Sequence, residues 1–209
     1  MMVSASLPVA RTNQWWLSAS AAGIALGVLT NLAQGWLPGT FNQIANSGAV
    51  WCVPAFAAGA LVAEKAAVRS SALAGLCTTI GLVVGYYGYA ELGRSGMGSL
   101  AWPLVWLAMA VVSGPLFGVA GAWWRQGRTP SRRVVGLAAL AGVFGMEALL
   151  AALVLHYEGQ AWGCVVLLVL VPLAMARRHK ERALTLLTAL VFSPVAYAVI
   201  ELPLQHVSM

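Results

Sequence analysis

Charge is what this sequence has least of. Of its 209 residues only 9% are Asp, Glu, Lys or Arg, where an ordinary globular domain carries roughly 25%. With 60% hydrophobic residues beside that, there is too little polar surface for a soluble protein. The few charges are also bunched. None lies between Arg11 and Glu64, between Arg94 and Arg125, or between Glu158 and Arg177. Charge-free apolar runs of about 18 residues or more are the pattern of membrane-spanning helices. The sequence is that of an integral membrane protein.

Other absences exclude particular chemistries. Lys65 and Lys180 lie in or beside short loops, so no span offers a lysine for a retinal Schiff base. His156, His179 and His206 sit at span ends or in loops, away from the depth that a membrane-embedded haem needs. Cys52, Cys77 and Cys164 fall at unlike depths with no metal or disulfide spacing, and read as buried structural thiols. Ser113-Gly114 lacks the upstream glycine of an intramembrane serine-protease motif. No glycine-rich loop is followed by the lysine of a phosphate cradle. No enzymatic activity, cofactor or metal is expected. The net charge of +6 comes from basic residues in loops between spans. That is an orientation signal, and it implies no nucleic-acid partner.

What is present reads as seven spans, at about 15–32, 43–63, 71–90, 100–124, 134–157, 161–176 and 183–203. The expected fold is all-α: one polytopic membrane helical bundle over residues 1–209, without a soluble domain. Trp15, Trp16 and Trp36 flank the first span, while Trp102, Trp162, Trp123 and Trp124 fit the two interfacial belts. Alternate loops are unequal. One side holds eleven of the twelve Lys and Arg residues and the other only Arg94. The basic side should face the cytoplasm, with the N-terminus inside and the C-terminus outside. Small residues at four-residue spacing predict close helix contact: Ala19, Gly23 and Gly27; Gly81 and Gly85; Gly114, Gly118 and Ala122.

A repeat is discernible after the first span. Pro54, Pro115 and Pro172 each mark an even span, a basic loop follows, and the next span ends in tyrosine and glutamate: Tyr87 and Glu91, Tyr157 and Glu158, Tyr197 and Glu201. This allows one helix plus three parallel helical hairpins. Chance matching in an Ala-, Leu-, Gly- and Val-rich alphabet is the competing explanation.

One position carries the functional expectation. Glu147 lies inside an apolar run long enough to span, where a carboxyl costs about 2.5–3.5 kcal/mol unless neutralised or paired. No Lys or Arg lies at its depth. It is either a proton or cation relay, or a structural group hydrogen-bonded across a helix contact. Glu158 lies eleven residues on, nearly on the same helical face. Tyr197 and Glu201 are four apart, and a ladder from Glu201 and Glu158 down to Glu147 is the relay expectation. Around the outer mouth fall Asn31, Gln34, Asn42, Gln43, Asn46, Glu91, Arg94, His156, Gln160, Gln205 and His206. An acidic, amide-rich vestibule suits a small polar or cationic solute, although helix ends are polar wherever they meet water. Ser113-Gly114-Pro115 and Ser193-Pro194 are candidate helix breaks.

The stretch Asn46-Ser47-Gly48-Ala49-Val50-Trp51, running into Ala55-Phe56-Ala57-Ala58-Gly59-Ala60-Leu61, resembles an uncharacterised family of small multi-pass membrane proteins from actinobacteria and relatives. Gly85-Tyr86-Tyr87 is similar to the same family. The resemblance covers most of the chain and implies a bacterial plasma-membrane protein of unknown function, without site residues. In size the chain is also similar to the substrate-binding subunits of energy-coupling vitamin transporters, which usually have six spans. Two functions therefore stand. One is a small transporter or solute-binding protein, proton- or cation-coupled through Glu147. The other is a non-transporting accessory or structural subunit that binds another membrane protein, or a second copy, through its small-residue faces. A polar cavity reaching Glu147 favours the first, and a dry packed bundle favours the second.

Overall fold

The computed structural model describes residues 14–64, 67–94, 96–127 and 129–201. Every regular element among them is helical: α1 (Trp15–Trp36), a 3-10 segment (Gly39–Asn46), α2 (Gly48–Ala63), α3 (Val68–Gly93), α4 (Ala101–Gln126), α5 (Pro130–Leu153), α6 (Glu158–Met175) and α7 (His179–Ala196), with a π-helical turn at Tyr197–Glu201. Six of these helices are long and apolar enough to cross a membrane. The exception is α2, apolar but only 16 residues long.

The second span therefore differs from the expected 43–63. Asn42 and Asn46, whose side chains compete for backbone hydrogen bonds, disfavour α-helix, and their stretch folds as the 3-10 segment. Ser47 then caps α2, its Oγ accepting from the Val50 amide at 3.2 Å. At 1.5 Å per residue α2 is about 24 Å long, short of a hydrocarbon core of about 30 Å. The 3-10 segment directly precedes it in the chain. The fifth helix is as long as expected but shifted by four residues, running Pro130–Leu153 rather than 134–157. The chain turns back there, with the Leu155 amide on Leu150 O and the Tyr157 amide on Ala151 O. His156 takes a left-handed φ of 54° in that turn. Glu147 is consequently six residues from the helix end, about 9 Å along the axis.

Of the two expected breaks, Pro115 does not interrupt α4. Pro194 stands just before the point where α7 widens into the π-helical turn.

Helix contact follows the small residues. A Cβ on Gly23 or Gly27 of α1 would strike the α3 backbone at Thr78 or Leu82, and one on Gly85 would strike Ile24. Gly75, Gly114 and Gly118 bring α3 and α4 equally close, as Gly59 and Gly121 do for α2 and α4. Without a hydrophobic driving force in lipid, such close approach supplies the dispersion contact that holds helices together. At the centre is α5, packed against α2, α4, α6 and α7. Fourteen of its residues are buried, including an unbroken run from Leu140 to Ala148 interrupted by nothing exposed.

The basic loops gather at one end. There Arg125 pairs with Glu64 and Arg133 with Glu181, joining α4 to α2 and α5 to α7. Trp124 Nε1 donates to Met175 O at 3.2 Å. At the opposite end Asn31 Nδ2 donates to Tyr86 O at 3.1 Å, Tyr86 OH to Gln34 Oε1 at 2.6 Å, and Arg94 to Asn31 O at 2.8 Å. The amides and the basic loops thus sit at opposite ends of the bundle.

Candidate functional site

Above the α4–α5 contact these two helices part, and a cavity of about 970 Å³ opens between α2, α3, α4, α5 and the start of α6. Glu147 is in its wall and only 5% exposed. Two features make a carboxyl tolerable there. Gln160, on the first turn of α6, donates from Nε2 to Glu147 Oε1 at 3.1 Å. The second is the first turn of α2: a Cβ on Gly48 would lie 4.0 Å from Glu147 Oε2. A helix N-terminus ends in backbone amides that no intrahelical carbonyl satisfies, so a polar group beside it has donors at hand. The late start of α2, at Gly48 rather than 43, is what sets that terminus beside the carboxyl.

The wall facing Glu147 is aromatic. Trp51 and Trp106 stack with ring centroids 4.9 Å apart, and Tyr86 meets Trp51 edge-on at 5.3 Å. Tyr87, edge-on to Tyr86 at 5.0 Å, lines the cavity beside Trp51 and Trp106. The ring of Trp51 is fixed by Nε1 donating to Ala45 O at 3.3 Å, which ties α2 to the 3-10 segment. Asn46 and Gln43 supply amides from that segment, and Met109, Phe117, Met146 and Leu150 supply apolar wall. Two acceptors remain open. Asn46 Oδ1 and Gln160 Oε1 are buried and have no hydrogen-bond partner among the described residues.

The sequence-predicted residues divide. Glu147 and Asn46 line this cavity. Glu158 is exposed and belongs to a different hollow of about 790 Å³ between α5, α6 and α7, with His156, Trp162 and Ser193. The structure does not bring Glu158 and Glu147 onto one path, because α5 ends before Glu158 and the intervening turn redirects the chain. Tyr197 packs half-buried against the core around α5, and its neighbour Ile200 reaches the Glu147 cavity. The Glu201 side chain, Gln205 and His206 lie outside the described residues. Glu91 is exposed and accepts from the Met97 amide at 2.9 Å, ordering the loop after α3. Arg94 closes the α1–α3 end, and Asn42 is half-buried without lining the cavity. Ser193 donates to Gly142 O at 3.1 Å and Ala189 O at 2.8 Å, a turn below Glu147. Among the described residues no three His, Cys, Asp or Glu side chains converge on a metal position.

Trp51, Trp106 and Tyr87 as a binding wall, and Gln160 as the partner of Glu147, were not legible in the sequence. Only the register of the α5–α6 hairpin could have revealed Gln160. Aromatics in apolar helices carry no mark that separates cavity lining from core.

A helical bundle in which six helices are long and apolar enough to cross a membrane is that of a multi-pass membrane protein. The chain belongs to a family of unknown function (DUF6518), which matches residues 8–206. No curated protein and no solved structure matches it.

Proposed function

We propose that this protein binds a small solute in the cavity beside Glu147 and serves as a small transporter or solute-binding membrane protein. The supporting observation is the cavity itself, which places the buried Glu147 carboxyl in a wall made largely of apolar and aromatic side chains with a few amides and hydroxyls among them. Its volume of about 970 Å³ sits at the upper end of the roughly 300–1,000 Å³ typical of ligand pockets. A bundle whose only task was to hold a partner helix has no use for unsatisfied polar atoms at that depth. Seven membrane passages fit this reading, with α2 and the 3-10 segment together making the second. By the positive-inside rule the end holding Arg125, Arg133 and Arg177 is cytoplasmic, and the cavity then opens toward the outer face of a bacterial plasma membrane.

A thermal-shift screen of polar, anionic and cationic small molecules on the purified full-length protein tests the reading, because a ligand specific to the native state stabilises by mass action. The expected result is a concentration-dependent rise in Tm with at least one class. A library that never moves the Tm, alongside pull-down of a stoichiometric membrane-protein partner, would instead establish the accessory role.

A further inference from the structure

We infer that the adjoining starts of α5 and α7 form a site for the headgroup of an anionic phospholipid, held by Arg132, Arg177, Arg178 and Lys180. This site lies at the opposite end of the bundle from the Glu147 cavity and does not depend on the solute-binding reading above.

The first argument is charge balance. All six acidic residues of the chain are glutamates. Only Glu64 and Glu181 lie at the basic end, and both are taken, by Arg125 and Arg133. Glu91, Glu158 and Glu201 belong to the other end of the bundle, and Glu147 is buried in α5. The chain therefore has no carboxylate left for Arg132, Arg177, Arg178 or Lys180, all of which are exposed. The second is proximity. The Arg133–Glu181 pair joins the first turns of α5 and α7, so Arg132 and Lys180 stand on adjoining helix starts. The Arg177 amide donates to Glu181 Oε2 at 3.3 Å, and Arg182 Nε to Ala176 O at 3.4 Å, which folds the α6–α7 link around the same glutamate. The positive-inside bias puts basic residues on this side, but it does not require them to gather around one glutamate between two helices. The third is height. Both α6 and α7 are long and apolar enough to cross a membrane, and only Ala176, Arg177 and Arg178 connect them. A link of that length reaches about 10 Å at most, which keeps its guanidinium groups at the level of the lipid headgroups. Cations held there attract anionic lipid, each contributing about fivefold in affinity. The planar fork of arginine also matches two oxygens of a phosphate.

The test titrates the full-length protein, in an uncharged detergent, with short-chain phosphatidylglycerol, with phosphatidylcholine of the same chains, and with inorganic phosphate. Binding is read by Tm and by the lipid retained in native mass spectrometry. Phosphatidylglycerol is expected to raise the Tm at low salt and to lose that effect at high salt, whereas phosphatidylcholine should leave it unchanged. The triple variant Arg132→Gln, Arg178→Gln, Lys180→Gln keeps the Arg133–Glu181 pair. It should weaken phosphatidylglycerol binding by on the order of a hundredfold, about fivefold for each charge removed. Arg69→Gln alters a basic residue at the same end, on α3, which touches neither α5 nor α7 among the described residues. That variant should bind like wild type. Should the triple variant fail to fold, Arg178→Gln alone carries the comparison, at about fivefold. Equal binding of the two lipids, or unchanged affinity in the triple variant, overturns the proposal. So does an equal loss per charge with Arg69→Gln, since the attraction would then belong to the whole basic face. Saturation by inorganic phosphate at the concentrations that suffice for the lipid overturns the lipid assignment in favour of a free-anion site.

Discussion

Gln160 Nε2 on α6 donates to Glu147 Oε1 on α5 at 3.1 Å, and both residues are buried. The two side chains clamp the α5–α6 hairpin near its turn and hold the carboxyl in the cavity wall. One contact thus has a structural and a functional consequence, and substitution separates them.

Glu147→Gln keeps a side chain of the same shape able to hydrogen-bond Gln160, so the fold should survive with a Tm within a few degrees of wild type. Solute binding in the cavity should weaken or change its pH dependence. Glu147→Leu removes the acceptor as well and should cost about 1–2 kcal/mol of helix association. Equilibrium denaturation in mixed detergent, together with ligand binding, measures both. A Glu147→Leu protein as stable as wild type, with solute binding intact, would leave Glu147 without either role.

The glycines of the helix contacts are predicted to be unequal. A Cβ on Gly118 would strike Ser71 O, and one on Gly59 would strike the Gly118 backbone. Gly118→Val should therefore force α3 and α4 apart and cost about 1–3 kcal/mol or more, as overpacking does. Gly88, on the same α3, has nothing within 4 Å of its Cβ position. Gly88→Ala should be silent within about 0.5 kcal/mol. Thermal unfolding of the two variants side by side checks the contrast.

The two ion pairs at the basic end should differ in the same way. Arg125 and Glu64 are 49% and 44% exposed, whereas Arg133 and Glu181 are 17% and 9%. Glu64→Gln should cost about 0–1 kcal/mol, the ordinary worth of a surface pair. Glu181→Gln leaves the Arg133 guanidinium without its partner in a largely dry setting and should cost about 3 kcal/mol, near the low end for a broken buried pair. Denaturation midpoints at low and high salt distinguish them, since only the exposed pair is well screened.

Orientation is open to direct measurement. A reporter fused after residue 209 and one inserted in the turn near Gly127, which takes a left-handed φ of 34°, should report opposite sides of the membrane. The same side for both would end the N-inside, C-outside arrangement.

How much of this could be read from the residues varies from element to element. Glu147 was conspicuous because one acid in an apolar run needs an explanation whatever the fold. The glycine stripes of α1 and α3 were legible for a similar reason: four-residue spacing of small side chains has few uses in a membrane. The ends of α2 and α5 were not. Leu150 to Leu155 is apolar throughout, so nothing marked the stop at Leu153 or the left-handed turn at His156. Neither glycine nor proline stands there to signal it. That error displaced Glu158 onto the wrong side of the hairpin and produced the expected ladder. The Arg133–Glu181 pair was missed because its members lie far apart in the chain, and only the packing of α5 on α7 brings their helix starts together.

The first helix finally bears on how the chain comes into being. Among the described residues, apart from slight contact with the 3-10 segment and α2, α1 rests on α3, through Gly23, Gly27, Gly81 and Gly85. The ribosome completes Gly27 some 58 residues before Gly85, which at about 5–20 residues per second is about 3–12 s of synthesis. For that interval the helix stands in the bilayer with its glycine groove turned to lipid or to the insertion machinery. Its docking is a delayed event, and α3 is the clasp that completes it.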